Sequence, residues 1–261
     1  MSSRTLFIGL HFMPTSPTTI VFQTYDLQSD QQTIESFIFD IKTHAPNAPE
    51  RFFSKICGIA DLTKVKAISF MFIDFHWFSN FEEAYGFRLK CKTFCETNGI
   101  FYYFTTASTI QNYCALASTK TMVENGQKVS ILELNPLGTI TGTTVIRHNG
   151  GYHFYETLSA QKLDFTEEWK KKFIGNSNPT KVIFKPGAKN QHILEKLKEV
   201  FKDENPVISE DCVINFSKYT ADHVLHVMGE KSDPYHFVNH CLNSFRVTLS
   251  PGDWNGAYGI M

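Results

Sequence analysis

The chain has 261 residues, a formal net charge of −1, 42% hydrophobic and 20% charged residues. That length carries a full core in one large domain or two lobes, and the composition excludes a disordered tail-like protein. The near-neutral balance gives no electrostatic footprint for nucleic acid or an anionic membrane.

The first apolar run, in MSSRTLFIGLHFMPTS, is too short for the core of a secretory signal, and no segment reaches the length of a membrane-spanning helix. The six cysteines, at 57, 91, 95, 114, 212 and 241, are too sparse for a disulfide framework. A reduced, soluble, cytoplasmic or nuclear protein is expected. Phe is abundant at 24 residues and predicts an aromatic core, with some rings left over for partners.

In chain order, residues 5–10 and 18–25 (TTIVFQTY) predict two strands around the turn at 11–17. Ile34, Phe37, Ile38 and Ile41 have helical spacing, which predicts a helix over 33–43. Pro46 and Pro49 interrupt, and Phe52, Phe53, Ile56 and Ile59 predict a helix over 50–60. Residues 65–75 (VKAISFMFIDF) are a nearly continuous apolar run, the pattern of a strand covered on both faces. A helix follows over 80–98 with Asn98-Gly99 as its stop, then a strand at 100–104 and a helix at 108–117.

The stretch 128–156, KVSILELNPLGTITGTTVIRHNGGYHFYE, reads as strand, breaker-rich turn, strand, Asn-Gly turn, strand. Glu133 sets a carboxylate at the end of an apolar strand beside a glycine-bearing turn, whose backbone N–H groups can cradle phosphate. The plain alternative is a surface-facing Glu on a half-buried strand. Beyond it come a Lys-rich helix over 165–173, a strand at 181–184 and an amphipathic helix at 192–202. A short strand within 207–214 and a helix at 217–228 stopped by Gly229 follow. The tail predicts a short helix near 236–242 and a strand at 244–250 (SFRVTLS), a segment that could dock on the fold or on a partner. No sequence repeat is evident. Strands alternate with helices, so the class is α/β.

The order of these pieces is similar to the nucleotide-binding domain of the seventy-kilodalton heat-shock chaperones, within the actin-like ATPase superfamily. AISFMFIDFHWF, the helix ending CETNGI, and FYYFTTASTIQNYCALAS resemble that family's connecting segment. ILELNPLGTITGTTVIRHNGGYHFYE resembles its second phosphate hairpin, and KVIFKPGAKNQHILEKLKEVF its adenosine motif. LFIGLHFMPTSPTTIVFQTYD resembles the first phosphate hairpin more weakly. The resemblance implies two ribonuclease-H-like lobes of mixed sheet with flanking helices. It places the first lobe at 1–120, the second at 121–232, and a tail at 233–261. The segments 26–64 and 157–180 are too short for the family's outer subdomains. As cofactor it implies ATP or ADP with Mg²⁺, with Glu133 positioning water and Gly138, Thr139, Gly187 and Lys189 touching phosphate.

The departures argue against hydrolysis. His11 stands where the first hairpin has its acid and cannot supply the oxygen ligands hydrated Mg²⁺ requires; Met13-Pro14-Thr15 replaces that hairpin's flexible turn. Ala107 or Ser108 falls where the connecting helix has its Glu. Asn135, Pro136 and Leu137 replace phosphate-facing glycines, and Pro186-Gly187-Ala188 loses another donor. The expectation is a degenerate, non-hydrolysing relative that serves a protein partner; the alternative is a nucleotide-binding protein with residual Mg-ATP hydrolysis.

Other constellations are weaker. Cys91 and Cys95 share a helix face, and His236, His240 and Cys241 cluster, but no second pair completes a zinc site. His223 and His226 read as helix-face residues rather than ligands. Asp74 and His76 lack a nucleophile elbow. Lys170, Lys171 and Lys172 read as a solvated helix face.

Overall fold

The structure is a computed structural model that describes residues 4–13, 16–39, 47–71, 78, 80–134, 139–185, 191–209 and 212–238. The first half runs β1 (Leu6–Met13), β2 (Ser16–Asp26), β3 (Gln31–Ile38), α1 (Ala48–Ile59), β4 (Val65–Phe70), α2 (Phe81–Thr97), β5 (Phe101–Phe104) and α3 (Ala107–Ser118). The second runs β6 (Lys128–Leu134), β7 (Thr139–His148), β8 (Gly151–Lys162), α4 (Glu167–Ile174), β9 (Lys181–Lys185), α5 (Gln191–Val200), β10 (Val207–Ile208) and α6 (Cys212–Val227).

The two halves repeat one plan. Each is an antiparallel three-stranded meander followed by two parallel strands, with a helix before, between and after them. The sheet orders are β3-β2-β1-β4-β5 and β8-β7-β6-β9-β10, the same order twice. In both, the first strand of the meander sits at the centre and pairs in parallel with the fourth. The expected α/β architecture of two mixed-sheet lobes with flanking helices is what the chain forms. The duplication leaves no trace as a sequence repeat, because it conserves the order of elements and not side chains.

Packing produces five layers. Ile8, Leu10, Ile20, Phe22 and Ile68 on one face of the first sheet pack with Phe52 and Ile56 of α1 and Phe87, Cys91 and Cys95 of α2. The Phe surplus goes largely here: Phe52 makes ring contacts with Phe37, Phe39, Phe53 and Phe87, and Phe53 stacks on Phe94 at 4.4 Å. The opposite face, through Phe7, Tyr25 and Ala67, meets Ala221 and Val224 of α6. In the second sheet, Leu132, Val182 and Phe184 meet α4 and α5 on the outside. On its inside, Val129, Ile131 and Val145 meet Tyr113, Ala115 and Leu116 of α3. Thus α3 and α6 form the central layer, each packed on the sheet of the opposite half and on each other.

Local chemistry explains most boundaries. Asn80 caps α2 by accepting a hydrogen bond from the Glu83 backbone N–H at 2.9 Å, an Asn-x-x-Glu N-terminus. Thr106 and Thr166 do the same for α3 and α4. The β7–β8 hairpin turns on Asn149 and Gly150, at φ 49° and 83°, as a two-residue Asn-Gly loop requires.

Four expectations are corrected. Of the segment predicted as a helix over 33–43, residues 33–38 belong to strand β3, hydrogen-bonded along β2 from Thr19↔Ile38 to Asp26↔Gln31, and residues 40–43 lie outside the described residues. That strand is an exposed edge, so neither of its faces needed the alternation that marks a half-buried strand. Lys170 is not solvated: it is buried, with its ammonium 2.9 Å from Glu204. Phe237, expected in a tail helix, instead forms a bridge with Tyr152 of β8. Cys114 is disulfide-bonded, which departs from the all-reduced reading. The expected strand at 244–250, with His240 and Cys241, lies outside the described residues. Among the described residues, no helix is long and apolar enough to cross a membrane.

Candidate functional site

Strand alternation decides which residues can serve a site between the sheets and the central helices. On β1, Ile8, Leu10 and Phe12 point to the outer core, so Phe7, Gly9 and His11 point inward to α6. On β6, Leu132 points outward, so Val129, Ile131 and Glu133 point inward to α3. His11 and Glu133 thus take similar places, near the ends of the two central strands and facing the middle layer.

Their environments differ. The His11 imidazole packs edge-on against Phe216 of α6, ring centroids 5.6 Å apart. Its Nδ1 lies 3.0 Å from the Phe12 carbonyl oxygen, which fits the tautomer that donates from Nδ1. Nε2 is buried without a hydrogen-bond partner among the described residues. Burial holds the imidazole below its usual pKa, against the opposing pull of the Phe12 carbonyl. His11 is therefore a neutral, packed side chain.

Glu133 is half exposed and paired: its Oε2 lies 2.7 Å from Lys185 Nζ. The parallel register sets Glu133 directly beside Lys185, the last residue of β9. Lys185 Nζ also donates to Gln111 Oε1 of α3 at 3.3 Å. Strand, strand and helix are thereby tied at one point.

This ion pair lines a cavity of about 250 Å³ between α3 and the inner face of the second sheet. The helix contributes Thr106, Ser108, Thr109, Gln111 and Asn112; β7 and β8 contribute Thr141, Thr143 and Thr157; Ile131, Phe154 and Phe237 supply the apolar part. Gly142 keeps β7 close to β6, since a Cβ there would lie 2.6 Å from Leu132 Cδ2 and 2.7 Å from the Ile131 carbonyl oxygen. The cavity offers many hydroxyl and amide hydrogen-bonding groups and one neutralised charge pair.

Of the residues predicted from sequence, Glu133 lines this cavity and Thr139 opens β7, opposite Lys162. Gly138, Gly187 and Lys189 lie outside the described residues, as do Asp74 and His76. Ser108, one of the two positions matching the connecting helix's Glu, lines the cavity, and Ala107 begins α3. Sequence reasoning missed Lys185, Gln111 and the hydroxyl row. The row had a signal: Thr139, Thr141 and Thr143 alternate along one strand, so they share a face. Gln111 had none, because its role depends on how α3 crosses the second sheet.

A second polar cluster lies at the far side of α6. His223 is fully buried, and His236 stacks between it and His226, with ring centroids at 5.2 and 4.1 Å. Burial, then the neighbouring imidazoles, lower His223 to about 3 and His236 to about 4. Tyr113 donates to Asp233, whose backbone N–H donates to His226 Nδ1 at 3.1 Å. Among the described residues no group of His, Cys, Asp or Glu has metal-binding geometry. Cys91 and Cys95 are buried thiols in the outer core, Cys95 pushed up to about 12.

No family model matches the sequence, and no curated protein matches it. Similar solved structures include YeaZ from Pseudomonas aeruginosa, at 11% identity and TM-score 0.34, covering 88% of this chain and 97% of that one. Another is a Ppx/GppA family member from Aquifex aeolicus, at 10% identity and TM-score 0.36, covering 70% and 66%. A third is the ROK hexokinase from Thermus thermophilus, at 12% identity and TM-score 0.44, covering 86% and 99%. No function is read from likenesses at these scores.

Proposed function

We propose that the chain is a non-catalytic protein-binding or scaffold protein, built on a degenerate chaperone-type version of the actin-like ATPase fold. The observation that carries this reading is the condition of the two inward positions at the ends of the central strands. One holds a neutral imidazole packed on Phe216, and the other a carboxylate already paired with Lys185. Phosphoryl transfer depends on positioning and on charge stabilisation by metal ions held through oxygen ligands. His11 offers Mg²⁺ no oxygen, and Lys185 already neutralises the one acid retained. Calorimetric titration with ATP and ADP, with and without Mg²⁺, tests this directly. No saturable binding up to about millimolar nucleotide is expected, an affinity no tighter than roughly −4 kcal/mol, and no turnover. Micromolar binding with Mg²⁺-dependent hydrolysis that disappears in Glu133→Ala would overturn it.

A second reading, ligand binding with residual Mg-ATP hydrolysis through Glu133, draws on the cavity beneath α3. Its hydroxyls, together with Glu133 and Lys185, suit a small polar ligand. At about 250 Å³ it falls below the roughly 300–1,000 Å³ of drug-sized ligand pockets. It would therefore hold only part of a nucleotide, with Gly138, Thr139, Gly187 and Lys189 left to meet phosphate. Saturable nucleotide binding abolished by Lys185→Ala is the result that would favour it.

A further inference from the structure

Strand β3 is the outer edge of the first sheet, and it carries none of the devices that keep such an edge from pairing. Natural sheets blunt exposed edges with proline, lysine, bulges or very short strands. Gln31–Ile38 has eight residues, no proline or lysine, one charge at Glu35, and a register with β2 that runs without a shift. All but Phe37 are exposed, Ile34 at 57% and Ile38 at 78%.

The internal repeat supplies a comparison. Strand β8 holds the same outer place in the second sheet, and there the chain lays residues 236–238 along it. Tyr152 N–H donates to the His236 carbonyl at 2.7 Å, and Val238 N–H donates to the Tyr152 carbonyl at 2.8 Å. The outer edge of this meander thus accepts an added strand. No described strand pairs with β3 on its open side.

Backbone parity decides which groups face outward. Phe39 N–H donates to the Thr18 carbonyl at 2.7 Å, in the register that pairs Ile38 with Thr19. Odd-numbered residues therefore turn their backbone groups to β2, and Ile34, Ser36 and Ile38 turn theirs to the open edge. Side chains divide the same way. Phe37 faces α1, its ring 6.4 Å from that of Phe52, and Glu35 shares that face. Ile34 and Ile38 share the other, where α6 meets Gln23 of β2, the partner of Ile34, through Ser217 at 3.3 Å and leaves Ile34 itself to solvent.

Charge and pattern then select the occupant. A groove beside the end of β3 is lined by Ile38, Phe39 and one side of α1, with Asn47, Arg51, Ser54 and Lys55. Glu50 lines it too and is bonded to Lys90, whereas exposed Arg51 and Lys55 enter no ion pair among the described residues. The extended segment that fits is apolar on one face and acidic on the other, and β3 itself has that pattern. A two-fold axis at Ser36 lays a second β3 antiparallel along the first. It sets Ile34 of each copy opposite Ile38 of the other. It also sets Glu35 opposite Phe37, on the face where Arg51 and Lys55 stand. Such a contact is self-complementary and closes after two copies.

We propose that β3 is a homodimer edge, pairing antiparallel with β3 of a second copy about an axis at Ser36, so that two five-stranded sheets become one. The proposal rests on the protein-binding reading, which the nucleotide titration tests separately.

Sedimentation equilibrium of the full chain across roughly 1 to 100 µM, with amide hydrogen exchange at the same concentrations, provides the test. The expected result is a species of twice 29.8 kDa at the upper end. As it forms, the amides of Ile34, Ser36 and Ile38 should gain protection while those of Glu35 and Phe37 stay as they were. Ile38→Lys, and Ser36→Pro, which removes an N–H that β2 does not use, should each weaken association roughly tenfold or more and leave the circular dichroism spectrum unchanged. Glu35→Lys should weaken it too, and adding Arg51→Glu and Lys55→Glu should restore it. A chain that stays monomeric at every concentration would overturn the proposal and leave the nucleotide result untouched. A dimer in which the three amides gain no protection, or which Ile38→Lys leaves intact, would overturn it as well. Loss of the dimer in Glu35→Lys without rescue by the charge exchange would overturn the axis at Ser36. Should Ser36→Pro fail to fold, Ile38→Lys and the exchange pattern still decide.

Discussion

His223 is buried among Tyr103, Tyr113, His236 and His226, and its burial and the two imidazoles resist its protonation. Tyr103 Oη lies 3.2 Å from its Nε2, Tyr113 packs on its ring, and His236 and His226 add competing imidazoles. Lowered to about 3 from an ordinary 6.5, it takes up a proton more readily in the unfolded chain. Stability should therefore be full above about pH 6.5 and fall as pH drops toward 4, at up to about 1.4 kcal/mol per pH unit for each such group. Urea denaturation at successive pH values should show that slope, and His223→Gln should flatten it. Lys170 gives a second prediction. Its ammonium is buried beside Glu204, so Lys170→Ala would leave that carboxylate, 14% exposed, without its cation. A loss of about 3 kcal/mol is expected, whereas substitution at exposed Lys171 should change stability by less than about 0.5 kcal/mol. Three consecutive lysines look alike in sequence; the approach of Glu204 and of the Phe201 ring, from beyond and from the end of α5, sets the first one apart.

Among elements, β7 is constrained at a single residue. Gly142→Ala forces a methyl against Leu132 and the Ile131 carbonyl, and backbone cannot move aside as a side-chain tip can. The expected cost is about 1–3 kcal/mol, read as a lower urea midpoint with an unchanged m-value. The meander containing Gly142 was legible from residues, since its Asn-Gly turn and β-branched runs are local signals. Strand β3 was not. Ile34, Phe37 and Ile38 imitate helical spacing, and what makes them a strand is the ladder to β2, a tertiary fact. Helix α6 was recognised, but it begins at Cys212, ahead of the apolar pattern that marked it. The candidate site was legible only in part: Glu133 stood out by its place on an apolar strand, whereas Lys185 and Gln111 join it through register and helix crossing.

At the level of the molecule, the order of strands and helices carried the architecture, while the internal repeat stayed hidden because its two halves share no residue pattern. That same divergence gives the halves different surfaces. One meander has an exposed outer edge and its counterpart is joined by residues 236–238; one central strand ends in a neutral imidazole and its counterpart in a paired acid. The exchange of α3 and α6 across the middle has a further effect. Each sheet's inner face is covered mainly by the helix of the other half, so each half alone would show water much of an apolar floor that includes Phe7, Tyr25 and Ala67, or Val129, Ile131 and Val145. Severing the backbone in the 121–127 connection should then yield two fragments that each aggregate when expressed singly. Produced together they should recombine into a soluble, non-covalent heterodimer with native circular dichroism. This chain would be a split protein by design of its topology, with two open halves that complete one another.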